Sequence, residues 1–252
     1  MKVLVNGQLI EYKKEGRGRT VVLLHGWGDS LATFSELAKY FVGRGFEVLR
    51  FDFPGFGGSP KPDDSWGVGE YAALTSALLE KLKVTNVYAL VGHSFGGRVI
   101  IKGVASGKLQ AKKVVLIGAA GVKTPKSAKK QALKVVAKVG KAATALPGLK
   151  SLRGELRKKL YGAAGSTDYL NAGQMQKIFL NTINEDLLPE VSKITQPTLL
   201  LWGEHDDQTP VRDAERMREQ LPYATLVVVP DTGHFVFIDD VLAITKELDG
   251  FL

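Results

Sequence analysis

Short apolar runs alternate with stretches of helical periodicity through much of the chain. Apolar residues recur every three or four positions in 31–41 and again in 71–82, which predicts a helix over each stretch. The runs around them are the kind that a strand buried on both faces shows. Strands that alternate with helices favour right-handed βαβ units and a mostly parallel sheet. The runs are Thr20 to Leu24, Glu47 to Phe51, Tyr88 to Val91 and Val114 to Ile117.

Two segments depart from this alternation. Residues 2–14 predict two strands around an Asn6-Gly7 turn, a strong hairpin signal. Residues 119–195 are helical or irregular in pattern, with no stretch that predicts a strand. The expected fold class is therefore α/β, with a core formed by residues 1–119 and 196–252 and a helical insertion over 120–195. After the insertion we expect a strand at Pro197 to Trp202, a helix at or just after Pro210, a strand at Leu226 to Val229 and a helix from Val241.

The pentapeptide Gly92-His93-Ser94-Phe95-Gly96 interrupts an apolar run that then resumes with helical spacing. A strand that turns directly into a helix strains the residue at the corner, and flanking glycines let the two elements pass closely. Such a turn would expose Ser94 Oγ and leave the Phe95 N–H free to donate to a developing oxyanion. The alternative interpretation is a Gly/Ser turn with no chemistry.

A serine hydroxyl needs a base within hydrogen-bond reach, and the base needs an acid that orients it. Of the four histidines, His234 follows the last predicted strand, at the sheet edge where Ser94 lies. The acid is expected between Trp202 and Pro210, where charge alone does not choose among several carboxylates. A solvated loop histidine is the alternative interpretation of His234.

The amino-acid composition limits the kinds of chemistry that the chain can carry out. The 252-residue chain has 44% hydrophobic residues, enough for a sizeable core, and no cysteine, which excludes disulfides and thiolate nucleophiles. We expect neither a metal nor a cofactor. No apolar stretch is long enough for a membrane span and no secretory leader pattern begins the chain, so a cytoplasmic location is expected.

The formal charge of +8 is concentrated in one segment. Residues 123–159 hold 12 Lys/Arg against Glu155 alone, so the rest of the chain is slightly acidic. Over 126–145 the lysines share one helical face, which is either a solvated face or a weak contact with anionic membranes. Nucleic-acid binding is not expected, because no recognised module accompanies the charge. The lysines of this face are Lys126, Lys130, Lys134, Lys138 and Lys141.

Taken together, the motifs resemble the α/β-hydrolase superfamily, in particular small serine esterases with an inserted helical cap. The order serine, acid, histidine matches Ser94, then Asp206 or Asp207, then His234. The family segment G-x-x-D-x-x-x-P fits Gly203, Asp206 and Pro210, which favours Asp206. Two further loops match, His25-Gly26-Trp27-Gly28 and Asp52 to Ser59.

The resemblance implies an oxyanion hole formed by the Trp27 and Phe95 N–H groups, and a small-molecule acyl substrate. Ester hydrolysis through an acyl-enzyme is the leading prediction. The same parts serve C–C bond hydrolases, thioesterases and serine perhydrolases, and a slow or non-catalytic ligand receptor is a further alternative. Dehalogenase and epoxide hydrolase chemistry is disfavoured, because those relatives carry an aspartate where this chain has Ser94. The sequence does not fix the oligomeric state.

Overall fold

The computed structural model describes residues 1–123 and 172–252. Its centre is an eight-stranded sheet with the order β1-β2-β4-β3-β5-β6-β7-β8. β1 and β2 pair antiparallel, β2 joins β4 antiparallel, and all the remaining pairs are parallel. The predicted fold class, a mostly parallel α/β sheet with helices on both faces, is confirmed. The strands are β1 (Lys2–Val5), β2 (Gln8–Gly16), β3 (Thr20–Leu24), β4 (Glu47–Phe51), β5 (Val87–His93), β6 (Lys113–Ile117), β7 (Thr198–Gly203) and β8 (Ala224–Val229).

The helices of the described residues lie close to where the periodicity places them. Helix α2 begins at Val68, three residues before the predicted Tyr71. The Glu70 side chain accepts the Gly67 N–H at 2.8 Å, which pairs a backbone donor that the first turn of the helix would otherwise leave unpaired. Single 3₁₀ turns precede two helices, at Leu31–Phe34 and Gly173–Met175. The helices are α1 (Ser35–Gly43), α2 (Val68–Lys81), α3 (Phe95–Ala105), α4 (Gln176–Ile183), α5 (Leu188–Val191), α6 (Val211–Gln220), α7 (Val236–Asp239) and α8 (Val241–Phe251).

The predicted hairpin forms at the edge of the sheet. Asn6 and Gly7 both take positive φ, +48° and +79°, as the two central residues of a tight hairpin turn require. Asparagine and glycine are the residues that adopt this conformation at least cost, so the local sequence determines the turn.

Successive strand residues point to opposite faces, and each face is covered by helices. In β3, Val22 and Leu24 belong to the cluster under α2 and α3, whereas Val21 and Leu23 belong to the cluster under α1 and α8. This arrangement explains why the parallel strands are apolar on both faces. The candidate functional groups therefore lie on the loops at the ends of these strands.

The described end of the predicted insertion packs on α3. Lys102 of α3 forms ion pairs with Glu185 at 2.8 Å and Glu190 at 3.0 Å, and the Leu187 N–H donates to Gly121 O at 2.8 Å. The predicted boundaries of a cap over 120–195 stay a prediction. The lysine face of 126–141, with its predicted membrane contact, lies outside the described residues. Within residues 1–123 and 172–252, no helix combines the length and the apolar character that crossing a membrane requires.

Candidate active site

The strand order reverses between β3 and β5, and the candidate site lies at that position. β3 pairs with β4 on one side and with β5 on the other, both parallel. In open parallel sheets, ligands bind at the carboxyl ends of the strands where the order reverses, because the two outgoing loops diverge there. The loop after β3 carries Trp27 and the turn after β5 carries Ser94, so both predicted elements reach the same crevice.

Ser94 is the corner residue between β5 and α3, and its backbone is strained. Its φ is +49° and its ψ is −107°, a conformation that residues with a side chain rarely adopt. The neighbouring glycines make the corner sterically accessible. A Cβ at Gly92 would lie 2.7 Å from the Gly96 carbonyl carbon, and a Cβ at Gly96 would lie 2.0 Å from Leu24 O. The pentapeptide therefore forms the strained turn that the sequence predicts.

The backbone N–H groups of Phe95 and Trp27 have no hydrogen-bond partner among the described residues. Phe95 is the first residue of α3, where the helix leaves its N–H groups unpaired and concentrates positive partial charge. The Trp27 loop is close to Ser94, since a Cβ built on Gly26 would lie 3.5 Å from Ser94 Cβ. These two donors are those predicted for an oxyanion hole.

Buried side chains fix the loop that carries Trp27. His25 is fully buried, accepts the Phe53 N–H at its Nε2 (3.0 Å) and lies with Nδ1 2.7 Å from Gly26 O. Asp52, 3% exposed, accepts the N–H of Leu31 at 2.6 Å. The histidine of the H-G-x-G loop thus has a positioning role, and the aspartate of the second motif ties two loops together.

Asp206 and His234 form a buried acid–base pair. His234 Nδ1 lies 2.8 Å from Asp206 Oδ2, and the side chains are 5% and 0% exposed. The structure brings together the two residues that the sequence predicts, one from the loop after β7 and one from the loop after β8. The pair orients the imidazole so that Nε2 is free to exchange a proton. Asp207, the alternative acid, is exposed.

Thr209 is a member of this group that the sequence analysis missed. Its N–H donates to Asp206 Oδ1 at 2.8 Å, and its hydroxyl lies 2.7 Å from Asp206 Oδ2 and 3.0 Å from Gly118 O. Burial alone would raise the pKa of Asp206, but the hydrogen bonds from His234 and Thr209 and the charge of His234 outweigh it and lower that pKa. Asp206 therefore stays ionised. A Thr three residues after an acid has no distinctive sequence signal.

His93, the residue before Ser94, lies behind His234. It is 1% exposed, its ring centroid is 4.6 Å from that of His234, and its Nε2 is 3.0 Å from the His234 carbonyl oxygen. Burial and the neighbouring His234 lower the pKa of His93 to about 3, so His93 is neutral and donates through Nε2. It holds the backbone of the His234 loop.

We expect His93 to make the fold sensitive to acid. Its pKa is lower in the folded protein than the ordinary value of about 6.5, so only the unfolded chain gains its proton as the pH falls from about 6.5 to 3. The stability contributed by neutral His93 is fully present above pH ~6.5 and is lost towards pH 3, at up to about 1.4 kcal/mol per pH unit. In urea titrations from pH 7.5 to 4, His93→Gln, whose amide still reaches His234 O, should flatten the fall in the free energy of unfolding. An unchanged slope would assign the acid sensitivity to other groups, His25 among them.

Ser94 Oγ forms no hydrogen bond to His234 Nε2 in this structure. Catalytic hydrogen bonds are often long before substrate binds, and they shorten in the complex. The predicted serine, acid and histidine lie at one sheet edge, and the Asp206–His234 contact is formed.

Among the described residues, one group of side chains could ligate a cation, and it lies on the same two loops as the Asp206–His234 pair. Oxygen and nitrogen atoms of Glu204, His205 and Asp231 lie within 4.8 Å of one another, and all three residues are exposed. Exposed acidic loops commonly cluster in this way without an ion.

A sequence profile described as the alpha/beta hydrolase family matches residues 21–245. The chain belongs to this family. Among curated relatives, the 2-hydroxy-6-oxo-6-phenylhexa-2,4-dienoate hydrolase of Comamonas testosteroni is 26% identical over 90% of this chain and 85% of its own.

Solved structures show the same architecture. A bacterial membrane phospholipase A is 25% identical, with a TM-score of 0.76 over 100% of this chain and 84% of its own. An esterase from Exiguobacterium antarcticum superimposes with a TM-score of 0.76 at 24% identity, over 100% of this chain and 98% of its own, which shows the shared fold. Hydrolase activity follows from the family; the bond that is cleaved does not.

Proposed function

We propose that this alpha/beta hydrolase family member cleaves carboxylic esters through a Ser94-His234-Asp206 triad and an acyl-enzyme intermediate. The observation that supports it most is the buried Asp206–His234 contact of 2.8 Å at the same sheet edge as a serine with φ of +49°. A buried, oriented imidazole next to a strained serine corner is the arrangement that activates a hydroxyl. The phospholipase A among the structural neighbours is consistent with ester chemistry.

Acylation begins when Ser94 Oγ attacks the ester carbonyl carbon. His234 Nε2 takes the hydroxyl proton, and Asp206 stabilises the imidazolium that forms. The carbonyl oxygen becomes an oxyanion that accepts the Trp27 and Phe95 N–H groups. His234 then returns the proton to the alcohol oxygen as the C–O bond breaks, leaving the acyl group on Ser94.

Deacylation repeats these steps with water as the nucleophile. His234 takes a proton from the water, the hydroxide attacks the acyl carbon, and the proton returns to Ser94 Oγ as the acid leaves. Each oxyanion donor contributes about 10²–10³ in rate in enzymes of this kind. Backbone donors supply this stabilisation without a special side chain at either position.

Carbon–carbon bond hydrolysis is the second candidate, because the dienoate hydrolase of Comamonas testosteroni aligns over 90% of this chain. A panel of substrates distinguishes ester hydrolysis from carbon–carbon bond hydrolysis. Turnover of activated esters with no turnover of a 2-hydroxy-6-oxo-dienoate supports ester hydrolysis, and the reverse supports C–C cleavage.

The triad is tested apart from the substrate with a fluorophosphonate probe. We expect one covalent adduct, located on Ser94 by peptide mass spectrometry, and no adduct in Ser94→Ala. Labelling of another residue, or none under conditions that label a control esterase, would contradict the proposed nucleophile.

A further inference from the structure

A cavity of about 180 Å³ opens beside Ser94 and is lined by apolar residues, by polar residues and by one charged residue. Its walls include the aromatic rings of Trp27, Phe95 and Phe179; the Trp27 ring centroid lies 5.4 Å from that of Phe95 and 5.0 Å from that of Phe179. The cavity has room for a short acyl chain. The charged residue of the lining is Arg98.

Part of the Arg98 guanidinium is available to donate hydrogen bonds to a ligand. It lies one helical turn after Ser94, and its residue is only 7% exposed. Its Nη1 donates to the carbonyl oxygens of Thr182 at 3.1 Å and Glu185 at 2.9 Å, which uses both Nη1 hydrogens. The other three N–H groups of the guanidinium have no hydrogen-bond partner among the described residues. A buried cation is costly unless its donors are paired, so an anionic ligand would complete this site.

The positive charge of Arg98 is not cancelled by an ion pair of its own. Burial lowers the pKa of Arg98 to about 10, against the opposing effect of the Glu185 and Asp186 carboxylates, so Arg98 remains charged at neutral pH. The Glu185 carboxylate is bound by Lys102 Nζ at 2.8 Å. Among the described residues, no carboxylate oxygen lies within ion-pair distance of the Arg98 guanidinium.

Thr182 gives a second, independent indication of a polar ligand. It is 2% exposed, its Oγ1 is buried without a hydrogen-bond partner, and the residue lines the same cavity. Buried hydroxyls in folded proteins are nearly always hydrogen-bonded. The Oγ1 atom has almost no accessible surface in this rotamer, so the side chain would turn towards the cavity to donate to a bound acceptor that also reaches Arg98.

We propose that Arg98 and Thr182 bind a carboxylate on the acyl part of the substrate, so that the preferred substrates are half-esters of short dicarboxylic acids. This inference rests on the proposed ester hydrolysis at Ser94. The carboxylate is placed on the acyl part because His234, which protonates the leaving alcohol, is not among the described residues that line the cavity. The apolar rings then contact the methylene groups between the ester and the acid.

The test compares two esters that differ only in charge: monomethyl succinate, and methyl succinamate, in which an amide replaces the free acid. We expect the wild type to show a kcat/KM about 10–100-fold higher for the anionic ester, the range of a charge-assisted hydrogen bond. In Arg98→Met this ratio should fall to near one, chiefly through a higher KM for monomethyl succinate. Because the ratio compares two substrates of one preparation, a partly unfolded variant does not distort it.

Lys102→Met is the matched control, since Lys102 lies one turn further along α3, contacts the same Glu185 and does not line the cavity. Its ratio should equal that of the wild type. If Arg98→Met does not fold, Thr182→Val serves instead, because it keeps the side-chain shape and removes only an unpaired hydroxyl. We expect Thr182→Val to lower the ratio by about 3–10-fold.

Two kinetic outcomes would overturn the inference. Equal ratios in the wild type and Arg98→Met would do so while leaving ester hydrolysis in place. Acetoxyacetate carries its carboxylate on the alcohol part of the ester. If Arg98→Met affects the hydrolysis of acetoxyacetate but not that of monomethyl succinate, Arg98 binds a carboxylate on the alcohol part and not on the acyl part.

If neither succinate ester is hydrolysed, calorimetry on Ser94→Ala decides the anion site separately from the proposed function. Monomethyl succinate should bind Ser94→Ala, methyl succinamate should bind at least tenfold more weakly, and the double variant with Arg98→Met should lose this preference. Absence of the preference in Ser94→Ala would be the third contradicting outcome.

Discussion

Ser94→Ala is expected to lower kcat for an activated ester by about 10⁴–10⁶, the loss that follows removal of a triad nucleophile in serine hydrolases. The reason is that no acyl-enzyme can form without Oγ, while the oxyanion donors and the binding surface keep a small residual rate. Steady-state kinetics on a p-nitrophenyl ester, with active-site titration of the wild type, measures the change.

Stability is the control for Ser94→Ala. Ser94 Oγ makes no hydrogen bond among the described residues, and alanine at φ of +49° carries a strain similar to that of serine. The free energy of unfolding should therefore change by less than about 1 kcal/mol, and Tm by less than about 4 °C. A folded variant that retains more than a tenth of the wild-type rate would remove Ser94 from the mechanism.

The sheet could be predicted because its turns and strands depend on residues that are close together in the sequence. The hairpin follows from Asn6-Gly7, which adopt positive φ easily, and the parallel strands follow from runs that are apolar on both faces. Helix α2 differs at its first turn because its start depends on the Glu70 side chain contacting Gly67, a local contact that hydrophobic spacing does not report. Hydrophobic periodicity indicates the buried face of a helix, but it does not indicate where an exposed end begins.

The candidate site was predictable only where residues follow a strand directly. Ser94, Asp206 and His234 could be placed at one sheet edge because parallel strands all end there. Thr209, His93 and Arg98 could not, since their roles depend on contacts between loops distant in the chain. The Arg98 guanidinium, for instance, meets the carbonyl of Glu185, 87 positions further along.

The last prediction separates the two neighbouring acids. Asp206→Asn should lower kcat/KM for an activated ester by about 10⁴, as expected when an amide replaces the acid that fixes the histidine tautomer. Asp206 accepts hydrogen bonds from His234 Nδ1, the Gln208 N–H and the Thr209 N–H, at 2.8, 2.9 and 2.8 Å. An amide nitrogen facing Nδ1 would force His234 to hold its proton on Nε2, where the base must be free.

Asp207→Asn is the matched control, with the same change one position along the chain. Because Asp207 is exposed, its substitution should leave kcat/KM within about threefold and the free energy of unfolding within about 0.5 kcal/mol. Asp206→Asn should also lose about 1–3 kcal/mol of stability, since it leaves buried donors without an acceptor. A larger kinetic loss in Asp207→Asn than in Asp206→Asn would transfer the orienting role to Asp207. Equal, small losses would mean that the His234 tautomer is fixed without either carboxylate, and Thr209 Oγ1, 3.3 Å from His234 Nδ1, would then be the group to substitute.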